Sequence, residues 1–149
     1  MKEVEKIISD VLSAMGFCDF KIVLKRREGE IDSFNVELND SKHLIGYHGM
    51  NLKALGTLIH LIAHNKNLTQ KFVVDVNNYR ELRKKSVIKI AKEASQEVVR
   101  TKRPVVLRPM DAYERHLVHD YLSDNSSVMT ESIGEGESRK VVVSPAGFI

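Results

Sequence analysis

The sequence contains no tryptophan, a single cysteine and only three prolines in 149 residues. Cys18 alone cannot form an intramolecular disulfide, and it excludes a metal site built from several cysteines. No apolar run approaches the roughly 18 residues needed to span a bilayer, and the N-terminal segment lacks the apolar centre of a signal peptide. Aromatic residues make up 6% of the chain and leave little area for base stacking. We therefore expect a cytoplasmic protein without direct membrane insertion.

The charge of the chain is unevenly distributed. Twenty-three Lys and Arg residues against 20 Asp and Glu residues give a formal net charge of +3. Between positions 80 and 108, ten basic residues stand against three acidic ones, so this segment carries +7 and the remainder carries −4. Such a local surface attracts a polyanion even where the net charge is small, although an ordinary solvated helix would carry similar charges. The predicted supporting basic surface consists of Arg83, Lys84, Arg103 and Arg108.

Hydrophobic periodicity predicts an α+β order in the first half of the chain. Apolar residues three and four apart indicate a helix over 2–15, and alternation then indicates strands over 20–25 and 34–38. A second helix is predicted from Met50 to about His64, and a third strand over 71–76. The core stripe of the second helix is predicted at Leu52, Leu55, Leu58, Ile59 and Ile62.

The second half of the chain predicts a long helix and a second small sheet. Nothing breaks helical propensity from 77 to about 101, and the inner face of this helix is predicted at Leu82, Val87, Ile90, Ala94 and Val98. Asp111 with Glu114 resembles a capping box that opens a helix to about Leu122. Strands are predicted over 105–107, 128–133 and 140–143, the last two joined by a glycine-containing hairpin.

A Gly-x-x-Gly loop, Gly46-Tyr47-His48-Gly49, precedes the second helix. Glycines adopt positive φ without strain and leave no side chain in the way, so a sugar-phosphate backbone can approach the main chain. The helix that follows offers free N–H groups and the positive end of its dipole to a phosphate. Paired glycines also form ordinary turns. We predict that Gly46, Tyr47, His48, Gly49 and Lys53 hold a segment of nucleic-acid backbone.

The setting of this loop resembles the KH domain, in which a Gly-x-x-Gly loop clamps nucleic-acid backbone. The order helix–strand–strand–helix–strand is similar to the bacterial, type II version. In that family the two middle residues of the loop are commonly basic, whereas here they are Tyr47 and His48. The resemblance therefore implies a phosphate contact that is weaker or pH-sensitive, with Tyr47 available to stack on a base.

A second motif places Arg115 and His119 four residues apart, on one face of a predicted helix. Arg offers a planar fork to phosphate oxygens, and His can donate to phosphate or stack on a base. The spacing by itself also suits a solvated helix face. With Glu114, Gly134, Arg139 and the valines at 141–143, the segment closely resembles the domain named for its Arg-x-x-x-His motif, a small sheet with helices associated with single-stranded nucleic acid.

A KH domain followed directly by an Arg-x-x-x-His domain is the arrangement of the bacterial Jag family, also called SpoIIIJ-associated or KhpB. The resemblance implies three regions: a type II KH domain over 1–76, a connecting basic helix over 77–102, and a small three-stranded Arg-x-x-x-His domain over 103–149. Family members usually carry a further N-terminal Jag domain and linker, which have no counterpart here, as in a truncated chain or a short member.

The resemblance implies a bacterial cytoplasmic protein that binds single-stranded RNA, or single-stranded DNA, without catalysis. Arg115, His119 and Arg139 would hold one segment of the strand. A small KH-domain protein is an implied partner, and cell-envelope assembly or division is an implied process. A rival hypothesis is an adaptor whose KH-like surface binds a protein component of a membrane or secretion machine.

Enzymatic and metal-dependent functions have little support in the sequence. His60 and His64 have the spacing of a zinc-protease helix but lack its glutamate and a third ligand. No phosphate-binding Walker loop, dinucleotide fingerprint or nucleophile–histidine–carboxylate set occurs in a recognisable setting. We therefore expect neither a cofactor nor a bound metal.

Overall fold

Two separate hydrophobic cores divide the chain in the computed structural model, which describes residues 1–147. The units are Met1–Arg80 and Glu81–Ile149, and each packs helices on a three-stranded sheet. The predicted α+β class is therefore confirmed. The geometric division falls in the first turn of a long helix, and the limits expected from the sequence remain a prediction about where functional domains end.

The first unit has the predicted order of elements. Strand β1 pairs antiparallel with β2, which pairs in parallel with β3. A parallel pair needs a crossover connection, and two helices with the Gly-x-x-Gly loop between them supply it. The short turn expected before this loop is a helix. The elements are α1 (Lys2–Ala14), β1 (Phe20–Lys25), β2 (Asp32–Leu38), α2 (Lys42–Ile45), α3 (Met50–Asn65) and β3 (Phe72–Val76).

The apolar face of α1 forms one side of the first core. Gly16, at a φ of 93°, follows the C-terminal end of α1 in the left-handed conformation that its position predicts. Alternate residues of β2 and β3 face the helices, as the period of two requires. The fully buried residues include Val4, Ile8, Leu12, Phe34, Val36, Val74 and Val76.

Helix α3 buries a face that differs in part from the prediction. Leu52, Leu55 and Ile59 are buried as expected, but Leu58 is 45% exposed, so its assignment to the core was wrong. Successive helical residues point about 100° apart, and a face centred on Ile59 turns Leu58 outward. Small residues complete the buried face instead, at Gly56 and Ala63.

Two asparagines close the first sheet. Asn77 has a φ of 48°, and its side-chain amide donates to the Leu38 carbonyl at 2.8 Å and accepts from the Leu38 N–H at 3.1 Å. This amide therefore continues the β2–β3 ladder as a peptide group would. Asn78, with a φ of 55°, donates its N–H to Asn35 Oδ1 at 2.9 Å. The pair fixes where Tyr79, the first residue of the next helix, leaves the sheet.

The second unit begins within the long helix. Its antiparallel sheet has the strand order β4-β6-β5, and a 3-10 turn over Gly136–Ser138 lies in the predicted glycine hairpin. Pro145 extends the last strand beyond the predicted Val143. The elements are α4 (Tyr79–Thr101), β4 (Val105–Val106), α5 (Ala112–Leu122), β5 (Val128–Ile133) and β6 (Lys140–Pro145).

Helix α4 contributes to the core of the second unit as well as carrying basic residues. Its buried side chains meet residues of α5 and β6. Leu82 is 60% exposed, so the prediction that it belongs to the inner face was wrong; the buried face starts one turn later. The main members of this core are Val87, Ala91, Ala94, Val98, Val118, Leu122, Val141 and Val143.

A buried ion pair joins α4 to α5. Asp111 caps α5 by accepting from the Glu114 N–H at 2.8 Å, as the motif predicts. The Glu114 carboxylate does not return to Asp111, as a full capping box would require. It accepts instead from Arg83 Nε at 2.6 Å and Arg83 Nη2 at 3.2 Å, with 7% of the Glu114 side chain and 20% of the Arg83 side chain exposed.

We predict strong energetic coupling between Arg83 and Glu114. Removing one partner leaves the other charge buried, so Glu114→Gln or Arg83→Gln should each cost about 3 kcal/mol of unfolding free energy. The double variant should cost much less than the sum. Urea unfolding of all four proteins measures the coupling. The exposed pair Glu81–Lys85, at 3.4 Å, is the matched control and should show a coupling below about 0.5 kcal/mol. Coupling equal to that of the control would contradict the structural role.

Candidate nucleic-acid interface

The Gly-x-x-Gly loop has two positions that only glycine suits. Gly46 and Gly49 have φ values of 73° and 77°. A β carbon at Gly46 would lie 2.5 Å from Asn51 Cγ, and one at Gly49 would lie 2.7 Å from the Tyr79 ring. Asn51 is held in place because its Nδ2 donates to the His43 carbonyl at 2.7 Å. The loop therefore presents bare main chain at both glycines.

Aromatic rings occupy the middle of the loop. Tyr47 and His48 stack with centroids 4.0 Å apart and planes 14° apart, and 75% of Tyr47 remains exposed. His48 has a φ of 51°, an uncommon conformation for a residue other than glycine. The stacked pair offers one open aromatic surface and an imidazole.

Helix α3 starts directly at Gly49 and ends the loop. Gly49 occupies the N-cap position, and no side chain accepts a hydrogen bond there. The first-turn N–H groups and the helix dipole are thus oriented to receive an anion. Lys53 is exposed one turn into the helix and adds a positive charge. The first unit therefore groups all five loop residues that the sequence singled out.

In the second unit, Arg115 and His119 lie one turn apart on α5, and both are half-buried. Arg115 Nη1 donates to the Met110 carbonyl at 2.7 Å, and the Met110 N–H donates to the Arg139 carbonyl at 3.1 Å. Met110 thereby connects two arginines that are far apart in the sequence. The Arg139 residue is exposed.

His119 is held between two hydroxyl groups of β5. Its Nδ1 lies 2.7 Å from Thr130 Oγ1, and its Nε2 lies 2.8 Å from Ser132 Oγ. Burial lowers the pKa of the His119 imidazole below its ordinary value of 6.5, and the nearby charges of His116 and Arg115 lower this pKa further. The imidazole is therefore neutral at pH 7, where it has one N–H to donate and one lone pair to accept.

Comparison with known proteins identifies the second unit. Residues 85–145 match the domain family named for its Arg-x-x-x-His motif, and this stretch contains Arg115 and His119 as well as Thr130, Ser132 and Arg139. Over 141 residues, which are 93% of this chain, the sequence is 33% identical to the RNA-binding protein KhpB of Clostridium symbiosum. The chain belongs to the Jag, or KhpB, family.

Two further KhpB proteins are similar over the same region. The RNA-binding protein KhpB of Bacillus subtilis (strain 168) is 40% identical over 108 residues, which are 68% of this chain and 50% of that protein. The RNA-binding protein KhpB of Lactiplantibacillus plantarum is 34% identical over 112 residues, which are 74% of this chain and 35% of that protein. The match to the Clostridium symbiosum protein covers 63% of its length, so this chain spans less than two thirds of each KhpB protein compared.

The basic residues assigned to a supporting surface of this KhpB-family chain differ in their environment. Lys84, Arg103 and Arg108 are exposed. Arg83 instead directs its guanidinium to Glu114, so its charge is compensated inside the second unit. The first three are therefore available to a polyanion, whereas Arg83 holds α5 in place.

Several residues near these motifs gave no sequence signal of a role. Thr130 and Ser132 reach His119 only because β5 packs against α5, and Met110 meets Arg115 only through the fold of its loop. Tyr79 meets Gly49 through the turn at the end of β3. For Ser132, the single available clue was its alternation with Thr130 along a predicted strand.

The described part of the chain, residues 1–147, contains no cluster of three or more His, Cys, Asp or Glu side chains suited to a metal ion. His60 stacks on Phe72, with ring centroids 4.2 Å apart, and so has a packing role on the outer face of α3. Within the same residues no helix has the length and apolar character needed to cross a membrane.

We predict that His119 titrates below 6.5 and that its titration affects stability. A group whose pKa is lower in the folded state binds more protons when unfolded, so stability falls as the pH drops through the unfolded value of about 6.5. NMR titration of the His119 ring should give the low pKa directly. Arg115→Gln should raise this pKa, because it removes one of the neighbouring positive charges. A pKa at or above 6.5 in the wild-type protein would contradict the neutral imidazole.

Proposed function

We propose that this chain binds single-stranded RNA in the bacterial cytoplasm and performs no catalysis. The observation that carries the proposal lies in the second unit, within the matched Arg-x-x-x-His domain. Arg115 and His119 share a face of α5, and Met110 connects Arg115 to Arg139. Three phosphate-binding or base-contacting side chains are thus concentrated on one small domain. The relatives in three bacterial species are named RNA-binding proteins, which supports RNA as the ligand.

The Gly-x-x-Gly loop is proposed as a second contact with the RNA backbone. Bare main chain at Gly46 and Gly49 permits close approach of a sugar-phosphate chain. The uncapped start of α3 and the Lys53 ammonium favour the phosphate charge. Because Tyr47 and His48 replace the usual basic residues, the loop supplies position and stacking more than charge.

A protein partner for the first unit is a second candidate function. Three large apolar side chains on the outside of α3 favour it, since Met50, Leu58 and Leu61 are 60%, 45% and 64% exposed. The family suggests a small KH-domain protein or a cytoplasmic component of a membrane machine, in the context of envelope assembly or division. Affinity capture with and without nuclease treatment separates this function from RNA binding, because a direct protein contact survives nuclease.

We predict that negative charge in the loop abolishes much of the RNA affinity. Tyr47→Asp with His48→Asp places two carboxylates where phosphate would lie, so the dissociation constant for RNA should rise at least tenfold, about 1.4 kcal/mol. The matched control, Thr69→Asp with Gln70→Asp, adds the same charge to another exposed loop of the first unit. Equal RNA affinities of the two folded double variants would assign the loop to a protein partner instead.

We also predict that Arg115 neutralises a phosphate. For a single strand, log K falls against log salt by about 0.7 per phosphate neutralised. Arg115→Gln retains a donor for the Met110 carbonyl but loses the charge, so RNA affinity should fall and the salt slope should flatten by roughly 0.7. Lys6→Gln, on the exposed face of α1, is the charge-matched control. A folded Arg115→Gln protein with unchanged affinity and slope would refute the phosphate contact.

A further inference from the structure

A polar cluster beside Arg115 has hydrogen-bonding capacity that the fold leaves unused. It consists of His119 on α5 and the alternate residues Thr130 and Ser132 on β5, at 2.7 and 2.8 Å from the two ring nitrogens. Both hydroxyl-bearing residues are half-buried, so part of each reaches the surface. Among residues 1–147, neither hydroxyl has a hydrogen-bond partner besides His119.

The neutral state of His119 assigns opposite roles to the two hydroxyls. One ring nitrogen donates its N–H, and the hydroxyl that accepts it keeps its own proton for an external acceptor. The other ring nitrogen accepts the proton of the second hydroxyl, which then offers only lone pairs to an external donor. This division holds for either tautomer of the imidazole. The cluster therefore presents one donor and one acceptor, without a formal charge.

A ribose fits this arrangement better than the other parts of a nucleic-acid backbone. Phosphate oxygens carry charge and only accept hydrogen bonds, which suits the guanidinium of Arg115 one turn away. Deoxyribose has no polar group at its 2′ carbon. The ribose 2′-OH both donates and accepts, so it complements either hydroxyl, and this group lets a protein distinguish RNA from DNA.

We propose that Thr130 and Ser132, held by His119, contact ribose 2′-hydroxyl groups and give the second unit a preference for RNA over DNA. This inference rests on the proposed RNA binding and names the element that selects the sugar. The two residues act as specificity determinants, while Arg115 supplies the charge that attracts either nucleic acid.

Matched oligonucleotides test the proposal with the full chain. A uridine oligomer and a deoxyuridine oligomer of equal length differ only at the 2′ position. The wild-type protein should favour the RNA. Thr130→Val and Ser132→Ala remove a hydroxyl each, and either should weaken RNA binding by about fivefold, the loss of one hydrogen bond, with less than a twofold change for the DNA.

Conservative variants control for disturbed packing. Thr130→Ser and Ser132→Thr keep the hydroxyl and should retain the preference for RNA. Adenosine and deoxyadenosine oligomers repeat the test with a different base edge and should give the same RNA-to-DNA ratios. Urea unfolding of each variant establishes that the second unit is folded.

Several outcomes would overturn the ribose contact. One is a wild-type protein that binds both sugars equally. A second is an equal loss of RNA and DNA affinity in Thr130→Val and Ser132→Ala, which indicates a phosphate contact or a purely structural role. A third is a loss that follows the base instead of the sugar. In each case RNA binding and its dependence on Arg115 survive, whereas failure of the proposed function would abolish both.

Discussion

The buried ion pair between Glu114 and Arg83 determines the geometry of the second unit. A carboxylate with 7% of its side chain exposed must be fully paired, and the Arg83 guanidinium meets it through two nitrogens. This bidentate contact sets the rotation of α5 on α4, while Asp111 sets where α5 starts by accepting the Glu114 N–H. Arg115 follows directly in the chain, so its direction depends on the same contact. His119 then lies one turn further and reaches the hydroxyls of β5.

The two units present backbone-binding surfaces of different chemistry. In the first, close approach depends on missing side chains at Gly46 and Gly49, and on the uncapped start of α3. In the second, it depends on a guanidinium fixed by the Met110 carbonyl and on a neutral imidazole between two hydroxyls. The low charge of both surfaces makes the exposed cations of the basic segment, such as Lys84, Arg103 and Arg108, the source of long-range attraction. Positioning and attraction are thus separated along the chain.

Sequence periodicity predicted nearly every element, but it was less accurate about which apolar residues are buried. Leu58 and Leu82 fit their helical stripes and are nevertheless 45% and 60% exposed. A periodic pattern gives the direction of an apolar face, but the packed neighbours decide its width and centre. Gly56 and Ala91 are buried although they contribute little hydrophobic signal, because small residues occupy positions where helices approach other elements closely. Glu114 shows the same limit for polar residues, since its predicted return to Asp111 was replaced by a distant arginine.

By itself, the sequence determined the local features: helices and strands from their periods, the positive φ values of Gly46 and Gly49, the cap at Asp111 and the shared face of Arg115 and His119. Each of these depends on residues within a few positions, so local sterics and hydrogen bonding suffice to predict it. Only the tertiary structure brought Tyr79 against Gly49, Met110 between Arg115 and Arg139, and β5 against His119. Those contacts arise from chain segments that meet when the cores form. The neutral state of His119 has the same origin, because burial and neighbouring charge exist only in the folded protein.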